Sequence, residues 1–117
     1  MTNFIEEKSL ELLNSLEDTL IYAKKLNKKA EFEQALHYFI ILKVQFEQQA
    51  KHEKVMECLS GICQSLGNLG RVNEIESYLS IYKTYCVKYG DDLANLKLNN
   101  LIGYISNSIE DYETTVY

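Results

Sequence analysis

Apolar residues recur at intervals of three and four along most of the chain. Leu12, Leu13, Leu16, Leu20, Ala23 and Leu26 keep that spacing, and after a polar stretch at residues 27–30 it resumes with Phe32, Ala35, Phe39, Leu42 and Phe46. Such spacing lays one apolar stripe along a helix, so these residues predict two helices folded into a hairpin. A second pair follows, with Val55, Met56, Leu59, Ile62, Cys63 and Leu66, the turn sequence GNLGR, and then Val72, Ile75, Leu79, Tyr82 and Cys86. Gly90 closes this pair, where a glycine suits a left-handed helix end. Asp91 or Asp92 then predicts the cap of a further helix carrying Leu93, Leu96, Leu98, Leu101, Ile102 and Ile105.

The pattern repeats at longer range. The segments AEFEQALHYF from Ala30, GRVNEIESYL from Gly70 and EDYETTVY from Glu110 start forty residues apart, and each has an aromatic or β-branched residue third: Phe32, Val72 and Tyr112. Upstream in the same register stand Leu16, Met56 and Leu96, then Tyr22, Ile62 and Ile102, and beside these the small residues Ala23, Cys63 and Gly103. Proline is absent and glycines are only five, so nothing in the composition interrupts long helices. The expectation is an all-α single domain of six helices in three hairpins, at about 3–50, 52–90 and 91–117. The third hairpin has room for its first helix and only the opening of its second, so Tyr117 reads as a cut within a longer protein.

These columns resemble tetratricopeptide repeats, whose paired antiparallel helices carry a leucine and a small residue on the first helix and an alanine and an aromatic on the second. Tyr22, Ala23, Leu26, Ala35 and Phe39 match in the first unit, and Ile62, Cys63, Leu66, Ile75 and Leu79 in the second. In the third, Ile102 and Gly103 match, with Thr115 at the alanine place. The likeness runs from about residue 16 to the end. It departs in its forty-residue period, in lacking the tryptophan-like position except at Leu59 in the second unit, and in having no proline after the second helix. The longer helices resemble the extended repeats of bacterial peptide-sensing regulators, of kinesin light chains and of sensory segments joined to signalling enzymes.

The resemblance implies hairpins stacked as a right-handed α-α solenoid, whose first helices line a concave groove. By that implication the inward positions are Glu17, Glu57 and Lys97; Leu20, Ser60 and Asn100; Lys24, Gln64 and Tyr104; and Asn27 with Asn107. Amides offer both donor and acceptor, as an extended peptide backbone requires. The function expected is a non-catalytic protein–protein interaction module, the regulatory segment of a larger bacterial signalling protein. The alternative is a peptide-sensing domain that controls a downstream diguanylate cyclase, phosphatase or DNA-binding domain. The lysines at 24 and 97 fall in different columns from the asparagines with which a carboxylate clamp would pair them, which disfavours capture of chaperone tails.

Charge and composition narrow the partners. Twelve basic residues against seventeen acidic ones give a net charge of −5, which repels a phosphate backbone, and the one basic cluster, Lys24, Lys25, Lys28 and Lys29, complements a helix C-terminus. No nucleic acid is expected. No apolar run approaches the roughly 20 residues that span a bilayer, so no membrane is expected either. The opening MTNFIEEKSLELL carries acids where a secretory signal has bases, which points to the cytoplasm. Cys58, Cys63 and Cys86 have neither zinc nor redox spacing and read as buried small hydrophobes. His37 and His52 have no carboxylate pair or nucleophile beside them, so neither catalysis nor a cofactor is expected. Tyr78, Tyr82, Tyr85 and Tyr89 form a stripe on one helix that reads as packing, and the uncovered end of the third unit as a surface for a homodimer.

Overall fold

A computed structural model describes the backbone of residues 15–116 and the side chains of 15–107. Among these residues there are five helices and no strand: α1 (Leu16–Lys28), α2 (Phe32–Gln48), α3 (His52–Leu69), α4 (Val72–Tyr89) and α5 (Asp92–Val116). The all-α expectation holds. Leu12, Leu13, the start of the first hairpin near residue 3, and the side chains of Tyr112 and Thr115 lie outside the described residues.

Local chemistry accounts for the helix starts. Ser15 caps α1 by accepting the Asp18 amide at 3.3 Å, with Glu17 and Asp18 in the first turn and Lys25 and Lys28 in the last, as the helix dipole favours. Asp91 caps α5, its Oδ1 accepting the Ala94 amide at 2.9 Å. The other three starts have no side-chain cap. Their first residues belong instead to a turn that ends the helix before.

That turn is the same each time. The amides of Glu31, Lys51 and Arg71 donate back to the carbonyls of Leu26, Phe46 and Leu66 at 2.9, 3.0 and 3.0 Å. One residue earlier, Ala30, Ala50 and Gly70 take left-handed φ values of 63°, 54° and 72°. This is the Schellman arrangement, with a buried apolar residue four places before the left-handed one. The helix ends therefore recur every twenty residues, half the period of the side-chain columns.

Two expectations fail where this device is lost. Gly90 is extended, with φ −81° and ψ 157°, and is not a left-handed helix end, because the chain passes straight into the Asp91 cap. The break expected near Glu110 is absent, and α5 runs unbroken through it. Ser106, exposed, stands where the three earlier turns have Leu26, Phe46 and Leu66, so no apolar side chain anchors a reversal there.

Each helix packs on the next, and α3 also touches α1 and α5. Turns of two or three residues between helices in contact require antiparallel neighbours. The interior holds Phe39, Leu42 and Phe46 of α2 against Val55, Leu59 and Ile62 of α3, all at most 1% exposed, with Ile75, Tyr82 and Cys86 of α4 and Leu98, Leu101 and Ile105 of α5 extending it. Principal extents of 48 × 36 × 20 Å describe a flattened body. Among the described residues no helix is long and apolar enough to cross a membrane.

Candidate functional site

The helices α1, α3 and α5 carry the polar columns, and two adjoining hollows open between them. The first, about 380 Å³, is lined by the first half of α3, the start of α5 and the end of α4, including Glu53, Met56, Ser60, Tyr82, Tyr89, Asp91, Leu93 and Lys97. The second, about 400 Å³, lies toward the helix C-termini and is lined by Asn27, Lys28, Phe39, Gly61, Gln64, Asn68 and Tyr104. Lys24, Glu57 and Ser60 line both, so the two hollows adjoin and are together termed the groove.

Of the positions expected to face inward, Lys24, Asn27, Glu57, Ser60, Gln64, Lys97 and Tyr104 are brought together along this groove. Glu17 is not: it is exposed and paired with Lys51 at 3.2 Å. Asn100 and Asn107 are exposed and line neither hollow, while Leu20 is buried at 3% exposure. Lys24 and Lys97, from α1 and α5, share the first hollow despite lying in different columns.

The groove's polar groups are linked across helices. Lys24 Nζ lies 3.0 Å from Glu57 Oε1, joining α1 to α3, and Lys54 reaches Glu57 Oε2 at 3.2 Å. One turn along, Asn27 Nδ2 donates to Gln64 Oε1 at 3.1 Å while its Oδ1 accepts from the Ser65 hydroxyl at 3.1 Å. The Tyr104 hydroxyl donates to Asn68 Oδ1 and so joins α5 to α3. Burial pushes the Glu57 carboxyl up, but the hydrogen bonds and charges of Lys24 and Lys54 outweigh it and hold the group below its ordinary 4.5. Burial pushes the Tyr82 phenol up to about 12, against a hydrogen bond with Ser60.

Several lining residues had no clear signal in the sequence. Asn68 continues the Lys24, Gln64 and Tyr104 column by one more helical turn, and extending the column would have found it. Tyr89 was readable only as part of the tyrosine stripe, which splits in the structure. Tyr82 is 2% exposed and packs, whereas Tyr89 is 39% exposed at the groove wall. On its other side Tyr89 stacks on His52, ring centroids 3.6 Å apart and planes 6° from parallel. The Tyr85 hydroxyl donates to Glu47 at 3.3 Å, tying α4 to α2.

The three cysteines are free and buried, and burial raises the Cys58 and Cys63 thiols to about 12, which disfavours the thiolate that redox chemistry or metal binding needs. Among the described residues no group of three histidine, cysteine or acidic side chains is placed to hold a metal ion. The groove lining combines lysine, carboxylate, amide and hydroxyl groups with apolar Met56, Leu93 and Phe39. No protein-family model matches the chain, and no curated protein or solved structure matches it.

Proposed function

We propose that this chain is a non-catalytic interaction module, a right-handed stack of tetratricopeptide-like hairpins that holds an extended segment of a partner protein in the groove between α1, α3 and α5. The observation that carries this reading is the convergence of one forty-residue column, Lys24, Gln64 and Tyr104, from three separate helices on two adjoining hollows rich in amides and hydroxyls. Amides in such a position can match the alternating N–H and C=O groups of an extended backbone. Mixed charge along the walls suits a peptide better than a nucleic acid, whose phosphates the net charge of −5 repels. The contacts of α3 with both α1 and α5 agree with a stack in which first helices line one side.

A second reading is favoured by the links across the groove. Lys24–Glu57 and Asn27–Gln64 tie α1 to α3, so a peptide that takes over their partners changes what holds those helices at their spacing. In that reading, ligand occupancy biases the curvature of the array and thereby regulates a downstream enzyme or DNA-binding domain, which requires different affinities for two arrangements.

Panning a library of random extended peptides on the purified chain, followed by calorimetry of the enriched sequences, tests the module. Gln64 is exposed in the groove, so Gln64→Trp fills the second hollow while leaving the core untouched. Enriched peptides are expected to bind saturably and to lose about tenfold or more in affinity to Gln64→Trp. Absence of any enriched sequence, or equal binding to the variant, would overturn the groove assignment.

A further inference from the structure

One face of α5 repeats a face that is covered elsewhere in the same molecule, yet here it is bare. On α3 that face is defined by its contacts with α4. Met56 Sδ lies 3.9 Å from Cys86 Sγ, Ser60 and Tyr82 line the same hollow, and Cys63 is fully buried. On α1 the corresponding Ala23 is also 0% exposed. Moving forty residues on from Met56, Ser60 and Cys63 gives Leu96, Asn100 and Gly103 on α5. Leu96 is 56% exposed, Asn100 is exposed, and a Cβ placed on Gly103 would have no atom within 4 Å.

We propose that this face of α5 is a second docking site, distinct from the groove, for an amphipathic helix of a partner protein. The molecule's own α3–α4 interface specifies the chemistry of that helix, because the bare face continues the interface in the same register. A helix that fits presents an aromatic side chain beside Asn100, as Tyr82, buried in the α3–α4 interface, stands beside Ser60. Four residues on it presents a small apolar residue toward Leu96, as Cys86 does toward Met56. Gly103 lets the two helix backbones approach at the column where α1 and α3 also have small residues. Between residues 93 and 107 the only charged side chain is Lys97, and it lines the groove, so the face recruits its partner by apolar contact and amide hydrogen bonds without ion pairing.

The probe is a fluorescein-labelled peptide with the sequence of residues 70–90, which carries the α4 surface, titrated with the full chain and read by anisotropy against a scrambled control. Saturable binding is expected, weakened about tenfold or more by Gly103→Phe and unaffected by Gln64→Trp, which separates this site from the groove. The Gly103 position faces open space, so the phenylalanine variant should melt as the parent does; if it does not, Leu96→Lys serves in its place. Three results overturn the proposal. One is no binding beyond the scrambled peptide, and another is equal binding by the variants. The third is concentration-dependent self-association in sedimentation that Gly103→Phe abolishes, which would make a second copy of the chain the occupant.

Discussion

Gly61 lies in the middle of α3, where replacing glycine by alanine ordinarily raises helix stability by about 1 kcal/mol. In this molecule the substitution should do the opposite. A Cβ at Gly61 would stand 2.5 Å from Cε1 and Cζ of Phe39 and 2.7 Å from Cδ1, well inside the roughly 3.5–4.0 Å at which carbon atoms rest. The Phe39 ring is 1% exposed, in the interior between α2 and α3, so it must recede by about 1 Å or α2 must move away from α3. Overpacking of this kind costs about 1–3 kcal/mol, and the size of the required shift favours the upper part of that range. Subtracting the helix-propensity gain leaves a net loss of about 2 kcal/mol, or roughly 8 °C in Tm for a domain of this size.

The assay is thermal and urea denaturation of the parent, Gly61→Ala, Phe39→Leu and the double variant. Shrinking the ring should relieve the clash, so the two substitutions together should cost less than the sum of their separate effects. Gly67→Ala is the internal control: its Cβ would meet only Ile105 Cγ1 at 3.8 Å, an ordinary contact, and should therefore stabilise. A Gly61→Ala chain that melts no lower than the parent would refute the packing of Phe39 beneath α3.

Two further outcomes follow from the same structure. Ala30 and Ala50 hold left-handed φ values that cost an L-residue about 1–2 kcal/mol, so Ala30→Gly and Ala50→Gly should each raise the urea midpoint, whereas Gly70→Ala should lower it. For Glu57, the folded-state carboxyl lies below its ordinary 4.5, so its contribution to stability is present above that value and is lost as the pH falls through the lowered one. Glu57→Gln should therefore be less stable than the parent at pH 7, by under about 1 kcal/mol because the ion pair with Lys24 is half exposed. The difference should shrink in acid; a gap that persists or widens there would place the effect outside the ion pairs.

The helices were legible because burial in this fold follows a three-and-four spacing. Of the columns read from the sequence, Ala23, Phe39, Ile62 and Cys63 are all at most 1% exposed. Most of the groove was legible for a related reason: residues forty apart fall on equivalent helix faces, and this brought Lys24, Gln64 and Tyr104 to one groove. The turns were harder to read. Alanine carries no turn signal, so the twenty-residue recurrence of Ala30, Ala50 and Gly70 was hidden. Gly90 carries a strong signal but is extended. Whether a helix reverses depends on an apolar residue four places earlier finding a place to bury, and Ser106 offers none.

The sequence by itself determined the helical class, the faces that are buried and the polar character of the groove-lining helices, because these depend on periodicity within one helix. Only the tertiary structure decided which polar groups satisfy one another across helices, such as Lys24 with Glu57 and Asn27 with Gln64. It also decided that Gly61 is a close approach while Gly103 faces open space, and that Asn100 stands outside the groove its column suggested. Those outcomes depend on the distance and rotation between neighbouring helices, which are set by side chains packing from two elements at once and are not encoded in the spacing along either one.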